Sequence, residues 1–244
     1  MSERLPVRGL RAVTFDVTGT LIHAPRLAEV YAEVLQHHRV PVTAADVARM
    51  FPEVYREQIV RSPAFVDRFA EHPGGARGWW GDLVCRLCQR LGAPEPSPFA
   101  LAELYQRFER AEAWEVFADV PGSLDALRAC GYRLGVISNW DERLPHLLRN
   151  LGLASRFEVV VRSSEVGLAK PHPAIFQRAL DALGLAADQV VHVGDQRLED
   201  LEGARGAGLH ALLLHRRRGD DGALRALADQ LCGGRSAAAT ARTH

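Results

Sequence analysis

The sequence predicts an α/β protein, a doubly wound parallel sheet interrupted by an all-helical insertion. Three observations predict it. Short apolar runs recur, each followed by a small or acidic residue; helical patterns with start and stop signals lie between them; and one long stretch carries helical periodicity alone. Apolar runs without alternation suit strands buried on both faces, as in a parallel sheet.

Strands are expected at Ala12–Phe15, Arg133–Ile137, Glu158–Val161, Val190–Val193 and His210–Leu214. Helices open at Pro121, Asp141, Pro173 and Arg197 and run toward Cys130, Leu151, Leu183 and Ala207. Gly131, Gly152, Gly184 and Gly208 stand where those helices should stop, since glycine takes the left-handed conformation of a helix end without steric cost. Strand–helix alternation with short links gives a Rossmann-like core over residues 1–24 and 115–232. Residues 25–114 break the alternation and are read as a helical cap domain with helices Leu27–His38, Ala44–Ile59, Trp79–Leu91 and Phe99–Ala113. The insertion leaves and rejoins the core above the carboxyl edge of the sheet, where open α/β sheets bind ligands, so it is expected to act as a lid. Residues 233–244, small and polar, are read as a disordered tail.

Composition narrows the function. Thirty basic side chains balance thirty acidic ones, which removes the electrostatic footprint of a dedicated nucleic-acid binder. No run approaches the ~18 apolar residues of a membrane span. Four cysteines in 244 residues do not make a disulfide scaffold. The N-terminal segment MSERLPVRGLRAVTF has no apolar leader core and runs straight into the first strand, so the expected setting is cytoplasmic. Oligomeric state is not legible.

The expected strand ends carry the chemistry. The first delivers Asp16, Val17, Thr18, Gly19 and Thr20; the second Ser138 and Asn139; the fourth Gly194 and Asp195, followed by Asp200. Lys170, the single lysine among thirty cations, opens the helix before the fourth strand. Clustered carboxylates repel one another unless a hard divalent cation such as Mg²⁺ sits among them, and a cation with an ammonium and backbone amides suits a phosphoryl group. Other candidates have blander readings. Cys85 and Cys88 read as same-face core cysteines, His192 as a core histidine, His172 as a helix-start residue, and Trp79 and Trp80 as neighbours pointing apart, at most one of them toward the site.

DVTGTL, VISN, the lysine of KPHPAIF and GDQRLED resemble, in order, the four motifs of the haloacid dehalogenase-like hydrolase superfamily, helical-cap subgroup. The resemblance implies that Asp16 is a nucleophile forming an aspartyl phosphate. It implies Mg²⁺ held by Asp16, the Thr18 backbone carbonyl, Asp195 and Asp200, and phosphate bound by Thr18, Gly19, Thr20, Ser138, Asn139 and Lys170. The implied ligand is a small phosphorylated molecule.

The pattern breaks at Thr18. Phosphatases of the family carry an aspartate there that protonates the leaving group and then activates water, and a threonine hydroxyl does neither near neutral pH. Positioned acid–base groups contribute ~10²–10⁴-fold, so slow turnover is expected. Threonine also occupies this place in the DKTGT segment of cation-pumping ATPases, which use a lasting aspartyl phosphate, so the first step survives. Asp141 and Glu142 are candidates for a substitute base. The alternatives are a non-catalytic phospho-ligand binding protein and a metal-free 2-haloacid dehalogenase. The intact Gly194–Asp195 pair and Asp200 weigh against the latter.

Overall fold

The computed structural model describes residues 9–62, 65–216 and 222–240. In chain order the elements are β1 (Ala12–Phe15), β2 (Ile22–His23), α1 (Leu27–His37), α2 (Ala44–Val60), α3 (Gly75–Arg90), α4 (Pro98–Arg107), β3 (Glu115–Val116), α5 (Val120–Ala129), β4 (Arg133–Ser138), α6 (Leu144–Asn150), β5 (Val159–Arg162), α7 (Ser163–Val166), α8 (Pro173–Leu183), β6 (Val190–Gly194), α9 (Gly203–Gly206), β7 (His210–Leu213) and α10 (Ala223–Thr240).

Five strands form one parallel sheet in the order β5-β4-β1-β6-β7. β1 is central because Ala12–Phe15 is apolar enough to bury every residue, and β6 is buried along its whole length for the same reason. Successive side chains of a strand leave by opposite faces. Val13 and Phe15 therefore pack with Leu124 and Leu127 of α5, Leu144 and Leu147 of α6 and Leu224 of α10. Ala12 joins Ile137, Val161 and the Ile175–Phe176 face of α8 on the other side. Helices thus cover both faces of a Rossmann-like core. Sheet order diverges on either side of β1, and that switch point is where such sheets bind ligands.

α8 shows how sequence sets a helix here. His172 Nδ1 accepts the amide of Ala174, Pro173 occupies the first turn where its missing N–H costs nothing, and Gly184 ends the helix at φ 59°.

Between β2 and β3 lie four helices with an apolar core of their own, built on Val34, Leu35, Val47, Trp79, Leu83 and Leu87. A short antiparallel pair, Ile22–His23 with Glu115–Val116, ties the two crossings together. Two residues per strand leave no periodicity to read, and this pair was not expected. A second tie joins the insertion to the core beside Lys170: Val66 bridges Leu168, the Ala169 amide donates to the Phe65 carbonyl, and the Asp67 amide donates to the Gly167 carbonyl.

Three further features differ from the sequence reading. The expected helix from Arg197 to Ala207 opens as a π-helix, Arg197–Glu202, before the short α9. α10 continues past Gly233 to Thr240, where composition suggested disorder; its alanines are strong helix formers, and only residues 241–244 of that segment lie outside the described residues. Cys130 at the end of α5 is disulfide-bonded to Cys232 in α10 with their Cα atoms 5.7 Å apart, while Cys85 and Cys88 are free. Among the described residues no helix is long and apolar enough to cross a membrane.

Candidate active site

The carboxyl ends of β1, β4 and β6 meet under the helical insertion. Asp16 directly follows β1, and its amide donates to the Val193 carbonyl, which sets its place against β6. Asp16 Oδ1 accepts from Ser138 Oγ at 2.8 Å and from Lys170 Nζ at 2.7 Å. Lys170 Nζ also donates to Asp200 Oδ1 at 2.5 Å and to the Ile137 carbonyl at 3.0 Å, which uses all three of its protons. Asp200 is held further by His192 Nε2 at 3.2 Å and by the Gln196 amide to Oδ2 at 2.9 Å. His192 Nδ1 lies 3.0 Å from Thr14 Oγ1. The buried histidine is therefore a positioning group for Asp200 as well as a core residue.

Two glycines make this approach possible. A Cβ on Gly19, which sits at φ +83°, would come within 2.6 Å of Asp195 Oδ2. A Cβ on Gly194 would fall 2.1 Å from Asp200 Cγ. The π turn fits the same need, since it carries Asp200 back beneath the end of β6.

The charges here do not cancel. Asp16, Asp195 and Asp200 present oxygens that all lie within 4.8 Å of one another, against the single ammonium of Lys170. Burial pushes the Asp16 carboxyl up to about 6, partly opposed by Lys170 and reinforced by Asp200. Burial likewise raises Asp195 and Glu199. It acts on Asp200 in the same sense, but Lys170 and His192 outweigh it and hold that carboxyl below its ordinary value. Burial would lower Lys170, yet Asp16 and Asp200 overcome it and keep the ammonium protonated. Asp195 Oδ1 is buried with no hydrogen-bond partner. An orphaned carboxylate oxygen within an all-oxygen set fits a hard divalent cation such as Mg²⁺.

Not every expected site residue has the expected contacts. The Asn139 side chain is engaged with backbone and carboxylate: Oδ1 accepts the Lys170 amide, and Nδ2 donates to the Lys170 carbonyl and to Glu199. It clamps the Lys170 loop to β4. Thr18 and Gly19 line the cavity above Asp16, whereas Thr20 is buried beneath and gives its carbonyl to Arg216 Nε. Thr18 Oγ1 accepts from Trp140 Nε1 at 3.1 Å.

The candidate substitute bases are both occupied. Asp141 is buried in a bidentate ion pair with Arg143 and also accepts from Trp80 Nε1 at 3.0 Å. Glu142 accepts from the Tyr105 hydroxyl. Arg143 lies 3.8 Å over the Tyr105 ring, and its Nη1 donates to the Tyr105 carbonyl. Sequence reasoning missed Arg143, Glu199 and Arg68. A buried arginine two residues from a buried aspartate leaves no mark distinguishing it from the other 28 arginines. Of the tryptophan pair, Trp79 packs in the insertion's core and Trp80 lines the cavity.

Comparison with known proteins places this geometry. Residues 10–208 match the family model described as haloacid dehalogenase-like hydrolase. Haloacid dehalogenase-like hydrolase domain-containing protein 3 of Danio rerio is 35% identical over 224 residues, covering 88% of each chain. Its Homo sapiens namesake is 36% identical, covering 88% of this chain and 84% of that protein. A glyceraldehyde 3-phosphate phosphatase of Methanopyrus kandleri is 29% identical, covering 87% of both. Among solved structures, the defluorinating L-2-haloacid dehalogenase Rha0230 superposes with a TM-score of 0.73 at 22% identity, over 93% of this chain and 98% of that one. A HAD phosphatase from Thermococcus onnurineus superposes at 0.63 and 23% identity, over 92% and 99%. Dehalogenases and phosphatases share this fold, so the structural likeness speaks to fold alone. With motifs, fold and relatives in agreement, the chain belongs to the haloacid dehalogenase-like hydrolase family.

Proposed function

We propose that this hydrolase is a Mg²⁺-dependent phosphoryl-transfer enzyme, acting on a small phosphorylated molecule through an aspartyl phosphate on Asp16. The observation that supports it is the Asp16 carboxylate, held by Ser138 and Lys170 at the foot of a cavity with Asp195 and Asp200 converging beside it. Metal-free dehalogenation has no use for that carboxylate excess, and the phosphatase relative is consistent with phosphoryl chemistry.

Asp16 attacks phosphorus: a bond forms from its carboxylate oxygen as the bond to the leaving oxygen breaks. The leaving oxygen takes its proton from water, because Thr18 has none to give at neutral pH. A water molecule then attacks the same phosphorus, restoring the Asp16 carboxylate and releasing inorganic phosphate. Lys170 stays protonated throughout and balances the charge of the phosphoryl group. Asp16, the Thr18 carbonyl, Asp195 and Asp200 would hold Mg²⁺, which when bound shields carboxylate from phosphate. We place the reaction in the cytoplasm, and the Cys130–Cys232 bond is the feature that argues the other way.

Without a proton donor, loading of Asp16 depends steeply on how readily the leaving group departs, so acyl phosphates should phosphorylate it readily and alkyl phosphates slowly. Release of phosphate from Asp16 should be slow whichever substrate supplied it. Thr18→Asp should accelerate loading by alkyl esters by ~10²–10⁴-fold and loading by acyl phosphates far less. Equal effects on loading by both would show that Thr18 does not stand at an acid–base position. A second reading, a phospho-ligand binding protein, rests on Thr18 and on the occupied state of Asp141. It predicts that no substrate releases phosphate even with Thr18→Asp.

A further inference from the structure

The cavity above Asp16 measures about 620 Å³, the size of a small-molecule site, and its two ends differ. The floor is polar, with Asp16, Ser138, Asn139 and Asp195. The roof, supplied by the insertion, is aromatic. Phe51 and Tyr55 stack at 5.8 Å with an interplanar angle of 11°, Tyr55 and Trp80 at 6.1 Å and 20°, and Phe69 and Trp80 at 6.3 Å and 25°. In this row of four rings each lies within 25° of parallel to its neighbour.

Several of the polar groups among those rings are already engaged with the protein. Trp80 Nε1 and Arg143 are taken by Asp141, the Tyr105 hydroxyl by Glu142, Arg56 Nε by the Pro52 carbonyl and Arg68 Nη2 by the Asn139 carbonyl. A polyol laid against the ring faces would exchange water for apolar surface, at a cost for each hydroxyl left unpaired. A flat or apolar group would instead add to the stack.

We infer that the substrate carries its phosphate on an aromatic or apolar body rather than on a sugar or polyol. The inference rests on the phosphoryl-transfer reading above, and it names what the phosphate is attached to. Phosphate sits on the floor beside Asp16 and the body lies along the Phe51–Tyr55–Trp80 wall. As the P–O bond to that body breaks, the departing oxygen takes a proton from water.

Binding of non-hydrolysable phosphonates tests this without relying on turnover. With Mg²⁺ present, calorimetry compares 3-phenylpropylphosphonate with 3,4-dihydroxybutylphosphonate, while beryllofluoride, which mimics phosphoryl on Asp16, is scored by thermal shift. The phenyl compound should bind about tenfold or more tighter. Phe51→Asn should collapse that ratio and Phe51→Leu, which keeps the volume apolar but removes the ring, should reduce it in part. Phe99→Ser, exposed and outside the cavity, should leave it unchanged. If beryllofluoride stabilises the protein but the dihydroxy compound binds equally or better, the substrate class is wrong and the phosphoryl reading stands. If beryllofluoride has no effect and neither phosphonate binds, both are wrong.

Discussion

The two ends of the cavity each bury ionised groups but balance them differently. Against the roof, Asp141 and Arg143 of the β4–α6 loop meet one to one, with Trp80 and the Tyr105 carbonyl of the insertion taking up remaining valences. In the floor, Asp16 and Asp200 share one ammonium, and Asp195 beside them has a carboxylate oxygen with no partner. A balanced buried pair is structure, since nothing added from solution improves it. An unbalanced set costs folding energy until a cation arrives, and its persistence in a fold of marginal stability argues for use. Similar residue types in one cavity thus take opposite roles.

Breaking the floor chemically should have the largest effect. Asp16→Asn should lower phosphate release on the order of 10³-fold or more, because no other nucleophile stands at that point. Breaking either charge set should come next, and the two should diverge with metal. Lys170→Met leaves Asp16 and Asp200 facing one another, and Arg143→Met leaves Asp141 without its cation; each should cost about 3–5 kcal/mol of stability in chelator. Mg²⁺ should restore much of the loss in the Lys170 variant and none in the Arg143 variant, as read from denaturant midpoints.

A pH titration sharpens the same contrast. Asp16 has its folded pKa pushed up to about 6 from 3.8, so the metal-free fold takes up a proton there before the unfolded chain does. Metal-free stability should therefore rise as pH falls through 6. Mg²⁺ requires the ionised carboxylate, so the melting-temperature gain it confers should fade across the same interval. A gain that persists unchanged at pH 5 would place the cation elsewhere. The smallest effect should come from Trp140→Phe, which removes one hydrogen bond to Thr18 Oγ1 and should cost about 1 kcal/mol.

The floor was far more legible in the sequence than the roof. Asp16, Ser138, Lys170, Asp195 and Asp200 lie at the ends of apolar runs, or beside them, and strand geometry carries such ends to one edge. The divergence of Trp79 and Trp80 was equally readable, because a helix turns its neighbours apart. The roof depends on tertiary contacts instead. Arg143 finds Asp141 within one loop, but it is covered by Tyr105 of α4, 38 positions earlier. The Cys130–Cys232 bond spans 102 positions, and the β2–β3 pair joins crossings some ninety residues apart through strands too short to have a pattern. Asn139 illustrates the intermediate case: its place at the site was readable, while its work as a clamp on the Lys170 loop was visible only once the loop was in position.

The central claim is that Asp16 accepts a phosphoryl group and that Thr18 leaves it there for an unusually long time. Intact-protein mass after acid quench, from wild type and Asp16→Asn mixed with acetyl phosphate with and without Mg²⁺, addresses both parts. The account predicts a gain of one phosphoryl group in wild type only, only with Mg²⁺, and a shorter-lived adduct in Thr18→Asp. An unmodified wild-type protein, under conditions where Thr18→Asp also releases no phosphate, would contradict it.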